Sequence, residues 1–539
     1  MTAPSTPRPW LASYDSGVPA SLDYVDGPLY GLLDDAADQW PTQIGVVGDG
    51  QDRATYAELR RWTDSLAGAL RRLGFGRDTR VALLLPTGMD FVVAYFGALK
   101  CGATVVPLNP QMPDLERQQQ LERSAAHLVV APPPLAERVR SGDGVNAPVV
   151  IAADLTNAAG PVNRAGPPSL TDLITGPAHA PDPIDTHDVA LLMPTGGTTG
   201  TTKLITLTHA QCLANAHQVA AWGHLQTTDR ILVTLPLFHG FGMGVTMNAP
   251  LLRGAQLILM PAFAPARVLE TIEQAKPTFM IGVPTMFATL STWPGAERHD
   301  LSSLQGVFVG GAPLSPAIKE RFEMSSGARM IEGYGLTESV TAVMANPYRG
   351  RHKAGSVGIP FPDVEAKVCD ASSGVDLPPG QQGEIVLRSP SVMLGYDGDA
   401  EATARALRGG WLHTGDLGWM DEDGYFYITD RLKDIIITGG FNVVPREVEA
   451  VLERHPQVMQ AAVVGLPDER RGERIEAHVV LGPDRAVTVE DLLTYLGERL
   501  LPYKVPTAIR FHTSLPTSAV GKVLRRRLRA EGHTSPAED

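Results

Sequence analysis

Cysteine, lysine and long apolar runs are all scarce in this chain of 539 residues. Its three cysteines, Cys101, Cys212 and Cys369, lie far apart with no Cys-x-x-Cys spacing, which suits a reducing compartment and argues against a structural zinc site. No run approaches the roughly eighteen apolar residues of a transmembrane helix. The longest candidate, 81–99, is interrupted by a proline, a glycine and an aspartate. We therefore expect a cytoplasmic protein without a transmembrane segment.

The charge balance is acidic, with 46 lysines and arginines against 59 aspartates and glutamates and a net charge of −13. The average field of such a protein repels nucleic-acid phosphates, so we expect no nucleic-acid partner. We interpret the basic run Arg525-Arg526-Arg527 as a solvated helix face. Only nine of the basic residues are lysines, so a lysine within a motif stands out.

The length and a hydrophobic content of 43% predict more than one folded unit. Strand-like and helix-like patterns alternate between residues 80 and 108, which predicts doubly wound α/β layers. The stretch 131–184 is rich in proline, alanine and glycine and is predicted to be loop-rich, with only short strand candidates such as 149–151. After Asp430 the pattern becomes helix, strand, strand, helix. We therefore predict an N-terminal domain at 1–430 and a small α+β domain at 431–539.

Residues 192–203 form the most informative segment, because three glycines, several threonines and one lysine follow a short apolar run. Glycines let the backbone approach a phosphate and turn its N–H groups inward, while a lysine adds a point positive charge. The Walker pattern does not fit, because Lys203 follows a threonine and precedes Leu204. An ordinary surface loop is the alternative. The predicted phosphate-binding residues are Thr195, Gly196, Gly197, Thr198, Thr199, Gly200 and Lys203.

This loop resembles the first core motif of the adenylate-forming superfamily, which contains acyl-CoA synthetases, peptide-synthetase adenylation domains and firefly luciferase. Segments similar to the later motifs follow in family order, at 332–338, 411–416, 430–434 and 516–522. The resemblance implies a large N-terminal domain of layered sheets and helices and a small mobile C-terminal domain. It also implies that ATP and Mg²⁺ are used to convert a carboxylate, which is a poor electrophile, into an acyl-adenylate.

The resemblance assigns nucleotide contacts to several positions. Asp416 would accept hydrogen bonds from the ribose hydroxyls, with Arg431 beside it. Thr337 would contact the α-phosphate, and Glu338 would hold Mg²⁺, since hard cations prefer carboxylate oxygen. Lys522 would stabilise the negative charge that develops during adenylation. The adenine clamp would comprise Gly311, Ala312, Pro313, Glu332, Gly333, Tyr334 and Gly335.

Other positions resemble parts that the family uses for the second half-reaction. Lys433 lies in the segment similar to the hinge, on which the small domain turns between adenylation and thioester formation. Gly439, Gly440 and Phe441 resemble the segment that then meets pantetheine, although a plain turn is the alternative. His239 matches the position that lines the acyl pocket and gates the thiol tunnel, although a lone histidine is more often only packed.

Two departures from the family pattern bear on the phosphate loop and on the substrate. Lys203 is flanked by threonine and leucine, where relatives commonly have proline and glycine. Domains that activate amino acids usually carry an aspartate beside the His239 position, where this chain has Phe238 and Gly240, so a non-amino acid is favoured. The pocket candidates are apolar or small and admit a fatty or an aryl acid: Met243, Gly282, Val283, Gly310 and Val340.

These expectations combine into an ATP- and Mg²⁺-dependent acid:CoA ligase, most similar to bacterial fatty acid:CoA ligases and acting on a medium- or long-chain fatty acid. Three alternatives stay open: an enzyme that loads the acyl group onto a carrier-protein phosphopantetheine, an aryl acid:CoA ligase, and a non-catalytic adenylate-binding protein. The oligomeric state is also open, with a homodimer as one alternative.

Overall fold

The computed structural model describes residues 8–49, 52–140, 148–155, 168–179, 181, 183–195, 202–468, 470–482, 487–518 and 521–534. The chain divides into two compact units. Unit 1 comprises Met1–Glu365 and Arg388–Leu412, and unit 2 comprises Ala366–Leu387 and His413–Asp539. Sheets and helices are present in both, which confirms the α/β class predicted from the alternating pattern.

The strands in chain order are β1 (Ile44–Val47), β2 (Arg53–Thr55), β3 (Arg80–Leu83), β4 (Thr104–Pro107), β5 (Leu128–Ala131), β6 (Val149–Ala152), β7 (Val189–Pro194), β8 (Leu204–Thr208), β9 (Arg230–Val233), β10 (Gln256–Leu259), β11 (Phe279–Gly282), β12 (Gly306–Val309), β13 (Arg329–Gly335), β14 (Ala342–Ala345), β15 (Ile359–Pro360), β16 (Glu365–Cys369), β17 (Gly383–Arg388), β18 (Gly395–Tyr396), β19 (Leu412–Met420), β20 (Phe426–Arg431), β21 (Ile436–Thr438), β22 (Phe441–Val443), β23 (Val458–Asp468), β24 (Gly472–Leu481) and β25 (Ala508–His512).

The α-helices in chain order are α1 (Gly31–Gln39), α2 (Tyr56–Arg72), α3 (Met89–Lys100), α4 (Asp114–Ser124), α5 (Pro133–Arg140), α6 (Leu170–Ile174), α7 (His209–Trp222), α8 (Ala249–Leu252), α9 (Pro265–Ala275), α10 (Pro284–Thr292), α11 (Pro316–Ser326), α12 (Ala400–Ala406), α13 (Pro445–Leu452), α14 (Val489–Gly497) and α15 (Arg525–Thr534). A π-helical segment, Phe241–Asn248, leads into α8.

Two large sheets organise unit 1. One has the strand order β18-β8-β7-β4-β3-β5-β6, and β7, β4, β3, β5 and β6 run parallel. The other has the order β15-β14-β13-β12-β11-β9-β10-β1-β2, and it is parallel from β13 to β1. Parallel strands are covered on both faces, which explains why β3 and β11 are continuous apolar runs without alternation.

Unit 2 also holds two sheets. A four-stranded sheet has the order β16-β17-β19-β20, and a second sheet has the order β22-β21-β24-β23, with β25 pairing in parallel with β24. One face of the second sheet is covered by α13 and α14, whose apolar side chains meet those of β23 and β24 in a buried cluster. The other face meets Leu515 and Leu528, the latter on α15.

The structure adds two helices to the stretch 131–184, which was predicted to be loop-rich with short strand candidates. The stretch contains β6, which includes the strand candidate at 149–151, and the helices α5 and α6, which were not predicted. Pro133 and Pro134 occupy the first turn of α5, where a missing N–H breaks no helical hydrogen bond. The domain boundary at 430 stays a prediction.

Candidate functional site

The predicted phosphate loop is closed at its base by two hydrogen bonds. The Thr195 amide donates to the Lys203 carbonyl at 2.8 Å, and the Lys203 amide donates to Thr195 Oγ1 at 3.1 Å. These contacts continue the antiparallel pairing of β7 with β8. The predicted residues between them, Gly196, Gly197, Thr198, Thr199 and Gly200, lie outside the described residues. Lys203 therefore lies at the end of the loop, directly before β8.

The Lys203 side chain lies beside Tyr396. Its ammonium is 4.6 Å from the Tyr396 ring centroid and 3.8 Å from Asp399 Oδ2. The Tyr396 hydroxyl donates to Glu338 Oε1 at 3.0 Å. Burial and the neighbouring Glu338 carboxylate raise the pKa of Tyr396, so the hydroxyl stays protonated as a donor. The predicted phosphate lysine and the predicted metal ligand thus contact the same side chain.

Glu338 lies in a single helical turn, Thr337–Ser339, that directly follows β13. The turn is closed by a hydrogen bond from the Val340 amide to the Thr337 carbonyl at 3.0 Å. Val340 has φ +67°, a conformation that a β-branched residue seldom adopts and that often marks a functional site. Within the described part of the chain, Tyr396 is the hydrogen-bond donor to the Glu338 carboxylate, at Oε1. A half-buried carboxylate with its second oxygen not so engaged fits a hard divalent cation such as Mg²⁺.

Two glycines bring the segment after His239 close to this turn. A Cβ at Gly240 would lie 2.5 Å from the Val340 carbonyl oxygen, and one at Gly244 would lie 2.5 Å from Thr341 Cγ2. A third glycine, Gly242, packs within its own segment, because a Cβ there would lie 2.2 Å from the Pro236 carbonyl oxygen. No larger residue fits these positions without displacing backbone or a buried neighbour. Gly240 and Gly244 therefore allow the close approach of the His239 segment to residues 340 and 341.

His239 accepts a hydrogen bond at Nδ1 from the Phe241 amide, at 3.2 Å. A ring nitrogen that accepts cannot carry a proton, so neutral His239 has its proton on Nε2. This arrangement fixes the ring at the start of the π-helical segment, whose last turns are buried. The hydrogen bond thus defines the tautomer of neutral His239, and its predicted role in lining the acyl pocket stays a prediction.

The predicted acyl-pocket residues lie in unit 1. Met243, Val283 and Val340 are buried, at 0%, 2% and 1% exposure. The Gly310 Cα faces the tip of the Phe241 ring, since a Cβ there would lie 3.2 Å from Phe241 Cζ. A Cβ at Gly282 would lie 2.9 Å from the Phe287 ring, so both glycines adjoin aromatic side chains.

The predicted adenine-clamp residues also come together. Gly311 has φ +81°, which glycine adopts without strain, and it turns the chain after β12. Glu332 Oε1 accepts from the Leu314 amide at 3.1 Å, which holds the 311–313 turn against β13. A Cβ at Gly335 would lie 2.1 Å from the Thr341 carbonyl oxygen. Tyr334 lies between Gly333 and Gly335 in β13 and is half-buried.

In unit 2, the predicted ribose contacts are paired across two strands. Asp416 and Arg431 are register partners in β19 and β20, and Arg431 Nε lies 2.9 Å from Asp416 Oδ1. Asp416 is 4% exposed. The Arg431 guanidinium therefore keeps a compensating charge next to a buried carboxylate.

Buried groups support the turn before Asp416. Glu384 accepts from His413 Nδ1 at 2.7 Å and from the Gly415 amide at 3.0 Å, and Gly415 has φ +69°. Among the described residues, Cys369, Glu384 and His413 each offer a donor atom within 4.8 Å of the others. Because both Glu384 oxygens already accept protein hydrogen bonds, we interpret the group as a support for the Gly415 turn.

Lys522 follows a tight turn in which the Ser518 amide donates to the Lys522 carbonyl at 2.8 Å. Gly521 supplies the left-handed conformation, with φ +71°. Burial lowers the pKa of Lys522 to about 8, helped by Arg431 and Lys433 and opposed by Asp416 and Asp434. The predicted catalytic lysine is thus coupled electrostatically to the Asp416–Arg431 pair within unit 2.

The predicted hinge segment, 430–434, is anchored at both ends. Asp430 accepts from the Arg446 amide at 2.9 Å. Asp434 pairs with Arg529 at 3.1 Å and with Arg525 at 3.8 Å. Lys433, the predicted hinge residue, lies between these anchors in a single helical turn.

The interpretation of Arg525-Arg526-Arg527 as a solvated face was partly wrong. Arg526 and Arg527 are exposed, but the Arg525 side chain is only 22% exposed and donates to Glu449 at 2.6 Å. Glu449 is 3% exposed and also accepts from the Val463 amide. A buried carboxylate needs such a partner.

The predicted pantetheine segment forms the turn between β21 and β22. Gly439 and Gly440 have φ +57° and +83°, and no atom lies within 4 Å of a Cβ placed at either. Phe441 is 52% exposed and stacks on Tyr503 with ring centroids 4.4 Å apart. The turn therefore presents open backbone beside an aromatic surface.

Sequence reasoning missed Tyr396, which contacts Glu338 across 58 positions of the chain. The only local signal is a glycine and tyrosine in β18, which pattern analysis does not separate from an ordinary edge strand. Among helices in the described ranges, none combines the length and apolarity needed to cross a bilayer.

The chain is similar to known proteins over most of its length. The AMP-binding enzyme family matches residues 33–397, and the AMP-binding enzyme C-terminal domain matches 447–522. The chain is 36% identical to a long-chain-fatty-acid–CoA ligase of Bacillus subtilis, over 97% of this chain and 98% of that protein. It is 38% identical to a feruloyl-CoA synthase of Amycolatopsis sp, over 90% and 95%.

Solved structures show the same fold. ATP-bound MatB from Rhodopseudomonas palustris superposes with a TM-score of 0.87 at 29% identity, over 95% of this chain and 99% of that one. An anthranilate CoA ligase in complex with anthranoyl-AMP superposes with a TM-score of 0.84 at 28% identity, over 94% and 97%.

Proposed function

This chain belongs to the AMP-binding enzyme family of AMP-forming acid–thiol ligases, and we propose that it converts a medium- or long-chain fatty acid into its CoA thioester. In the first half-reaction a carboxylate oxygen attacks the α-phosphorus of ATP, and the bond to pyrophosphate breaks. In the second, the CoA sulfur attacks the acyl carbon, the bond to AMP breaks, and the thiol proton is released.

The observation that carries the proposal is the set of contacts joining Lys203, Tyr396 and Glu338 in unit 1. It places an ammonium and a carboxylate in one neighbourhood, as binding of a metal–polyphosphate requires. Bound Mg²⁺ would neutralise phosphate charge while pyrophosphate leaves. Thr337, adjacent to Glu338, would contact the α-phosphate. Asp416 would hold the ribose hydroxyls, with Arg431 beside it.

Lys522 would stabilise charge on the α-phosphate and the acyl carboxylate. Its lowered pKa still leaves most of the population protonated at pH 7. A partly buried ammonium is preorganised and makes a stronger electrostatic contact than an exposed one. Lys433 would then act as the hinge residue, and Gly439, Gly440 and Phe441 would meet the pantetheine arm.

The acyl pocket supports an apolar acid. Met243, Val283 and Val340 are buried, and the residues beside His239 bring no carboxylate. A buried ammonium without a carboxylate partner would lose several kcal/mol of hydration without compensation. Amino acids are therefore disfavoured as substrates.

A second candidate is an aryl acid:CoA ligase. It is favoured by the 38% identity to a feruloyl-CoA synthase, which is higher than the 36% identity to the long-chain-fatty-acid–CoA ligase. The greater coverage of the latter favours the fatty acid.

A substrate screen tests the proposal. Pyrophosphate release would be measured with fatty acids of increasing chain length, with ferulate and benzoate, and with amino acids. Thioester formation would be followed with CoA and with a phosphopantetheinylated carrier protein. We expect the highest kcat/KM for a medium- or long-chain fatty acid with CoA. A higher value for ferulate would support the second candidate, and turnover with the carrier alone would contradict CoA as acceptor.

A further inference from the structure

One short stretch of unit 1, residues 393–399, contacts both Glu338 and Lys203. The Met393 amide donates to the Glu338 carbonyl at 2.8 Å, and the Tyr396 hydroxyl donates to the Glu338 carboxylate at 3.0 Å. The Lys203 ammonium meets the Tyr396 ring and Asp399. Residues 393–399 therefore contact both the backbone and the side chain of Glu338. They also contact the Lys203 side chain.

The stretch is held to the strand that follows the phosphate loop. Gly395 and Tyr396 of β18 are register partners of Thr206 and Ile205 in β8. The Asp397 amide also donates to the Leu204 carbonyl at 2.8 Å. Because Leu204 directly follows Lys203, the position of Tyr396 relative to Lys203 is set by backbone hydrogen bonds.

An ion pair fixes the other end of the stretch. Arg80 Nη1 and Nη2 donate to the two carboxylate oxygens of Asp397 at 2.9 and 3.2 Å, which is a bidentate geometry. Arg80 Nη1 also donates to the Ser124 carbonyl at 3.1 Å. The Tyr396 amide donates to Thr403 Oγ1 at 2.9 Å. Several independent contacts therefore hold the backbone at Tyr396 in place.

We propose that Tyr396 is a positioning residue for ATP activation, whose hydroxyl orients the Glu338 carboxylate toward the divalent cation and whose ring seats the Lys203 ammonium beside the phosphates. The inference rests on the proposed function, because it assumes that metal and nucleotide bind at these groups. A donor on one carboxylate oxygen restricts rotation and leaves the other oxygen for the cation. The ring face attracts an ammonium without consuming its hydrogen-bond donors.

Three other tyrosines of unit 1 provide a contrast. Tyr14 and Tyr56 donate to the carbonyls of Pro360 and Ala255, which is how a tyrosine that only supports the fold commonly satisfies its hydroxyl. Tyr24 donates to the Asp363 carboxylate at 2.8 Å, and Asp363 is not one of the predicted site residues. Tyr396 instead donates its hydroxyl hydrogen to the predicted metal ligand.

Two substitutions separate the two contacts. Tyr396→Phe removes the hydroxyl and keeps the ring, whereas Tyr396→Leu removes both. Tyr24→Phe is the matched control, because it deletes a tyrosine–carboxylate hydrogen bond of the same kind in the same unit. The measured quantities are the Kd of ATP by calorimetry with EDTA and the Kd with saturating Mg²⁺. Their ratio reports how much the metal strengthens binding.

For Tyr396→Phe we expect the ratio to fall by about tenfold, as for other groups that orient a metal ligand, while the Kd with EDTA stays within about twofold of wild type. For Tyr396→Leu the Kd with EDTA should also rise, by about threefold or more, because the Lys203 ammonium loses its cation–π contact with the ring. Tyr24→Phe should change neither Kd. Any loss of stability in this variant should appear only as a lower melting temperature.

A Tyr396→Phe protein with the wild-type ratio would overturn the inference, and so would equal changes in Tyr396→Phe and Tyr24→Phe. If Tyr396→Leu does not fold, the isosteric Tyr396→Phe still decides the metal contact. Failure of the proposed function looks different: the wild-type protein would then release no pyrophosphate with any acid, whatever the binding ratios of the variants.

Discussion

The lowered pKa of Lys522 predicts that adenylation loses its lysine charge at moderately alkaline pH. Burial and the neighbouring Arg431 and Lys433 bring this pKa to about 8 in the free protein. A group with that pKa is about nine-tenths protonated at pH 7 and about one-tenth protonated at pH 9. If only the ammonium form supports acyl-AMP formation, kcat/KM for ATP should fall about tenfold between these values.

The assay is pyrophosphate release in the absence of CoA, with the acyl-AMP trapped by hydroxylamine, from pH 6.5 to 9.5. Omitting CoA removes the thiol, which titrates in the same range. The kcat/KM for ATP is the appropriate quantity, because it reports the free enzyme, whereas bound phosphates would raise the pKa of the lysine.

Lys522→Arg is the matched control, since a guanidinium keeps its charge throughout this range. We expect that variant to be slower than wild type at pH 7 and to lack the alkaline decline. A wild-type profile that stays flat to pH 9.5 would refute the reasoning. So would an alkaline decline of the same midpoint in Lys522→Arg, because another group would then be titrating.

Two further predictions follow from the hinge and the glycine contacts. Lys433→Pro should leave single-turnover adenylation intact and slow thioester formation at least about tenfold, because proline fixes φ in the segment that we propose to be the hinge; a collapse of adenylation in a protein folded by circular dichroism would contradict the hinge role. Gly240→Ala should lower stability by about 1–3 kcal/mol, because its Cβ would lie 2.5 Å from the Val340 carbonyl oxygen. Gly27→Ala, where no atom lies within 4 Å of the added Cβ, is its control in thermal melts, and equal melting temperatures for the two variants would show that the Gly240 contact relaxes freely.

The sequence allowed good prediction of the local elements. The parallel strands β3 and β4 were predicted because burial on both faces selects runs of apolar residues. The predicted site positions of unit 1 also converge in space, at Lys203, Glu338 and the His239 segment. The motifs could be placed because each is short and carries its chemistry in adjacent residues.

What the sequence could not indicate are contacts between distant positions. Tyr396 reaches Glu338 across 58 residues, and Arg525 reaches Glu449 across 76. No local period encodes either pairing, so the tyrosine was missed and the arginine was interpreted as solvated. The helix α5 was missed for another reason, because its prolines at the first turn look like loop residues in a pattern search.

The most direct test of the account compares the two half-reactions in Lys522→Ala. Acyl-AMP formation should fall by about 10²–10³, the typical effect of removing one preorganised electrostatic donor. Thioester formation from supplied acyl-AMP and CoA should stay close to the wild-type rate, because the proposed function gives Lys522 a role in adenylation alone. Equal loss of both activities in the folded variant would contradict the account.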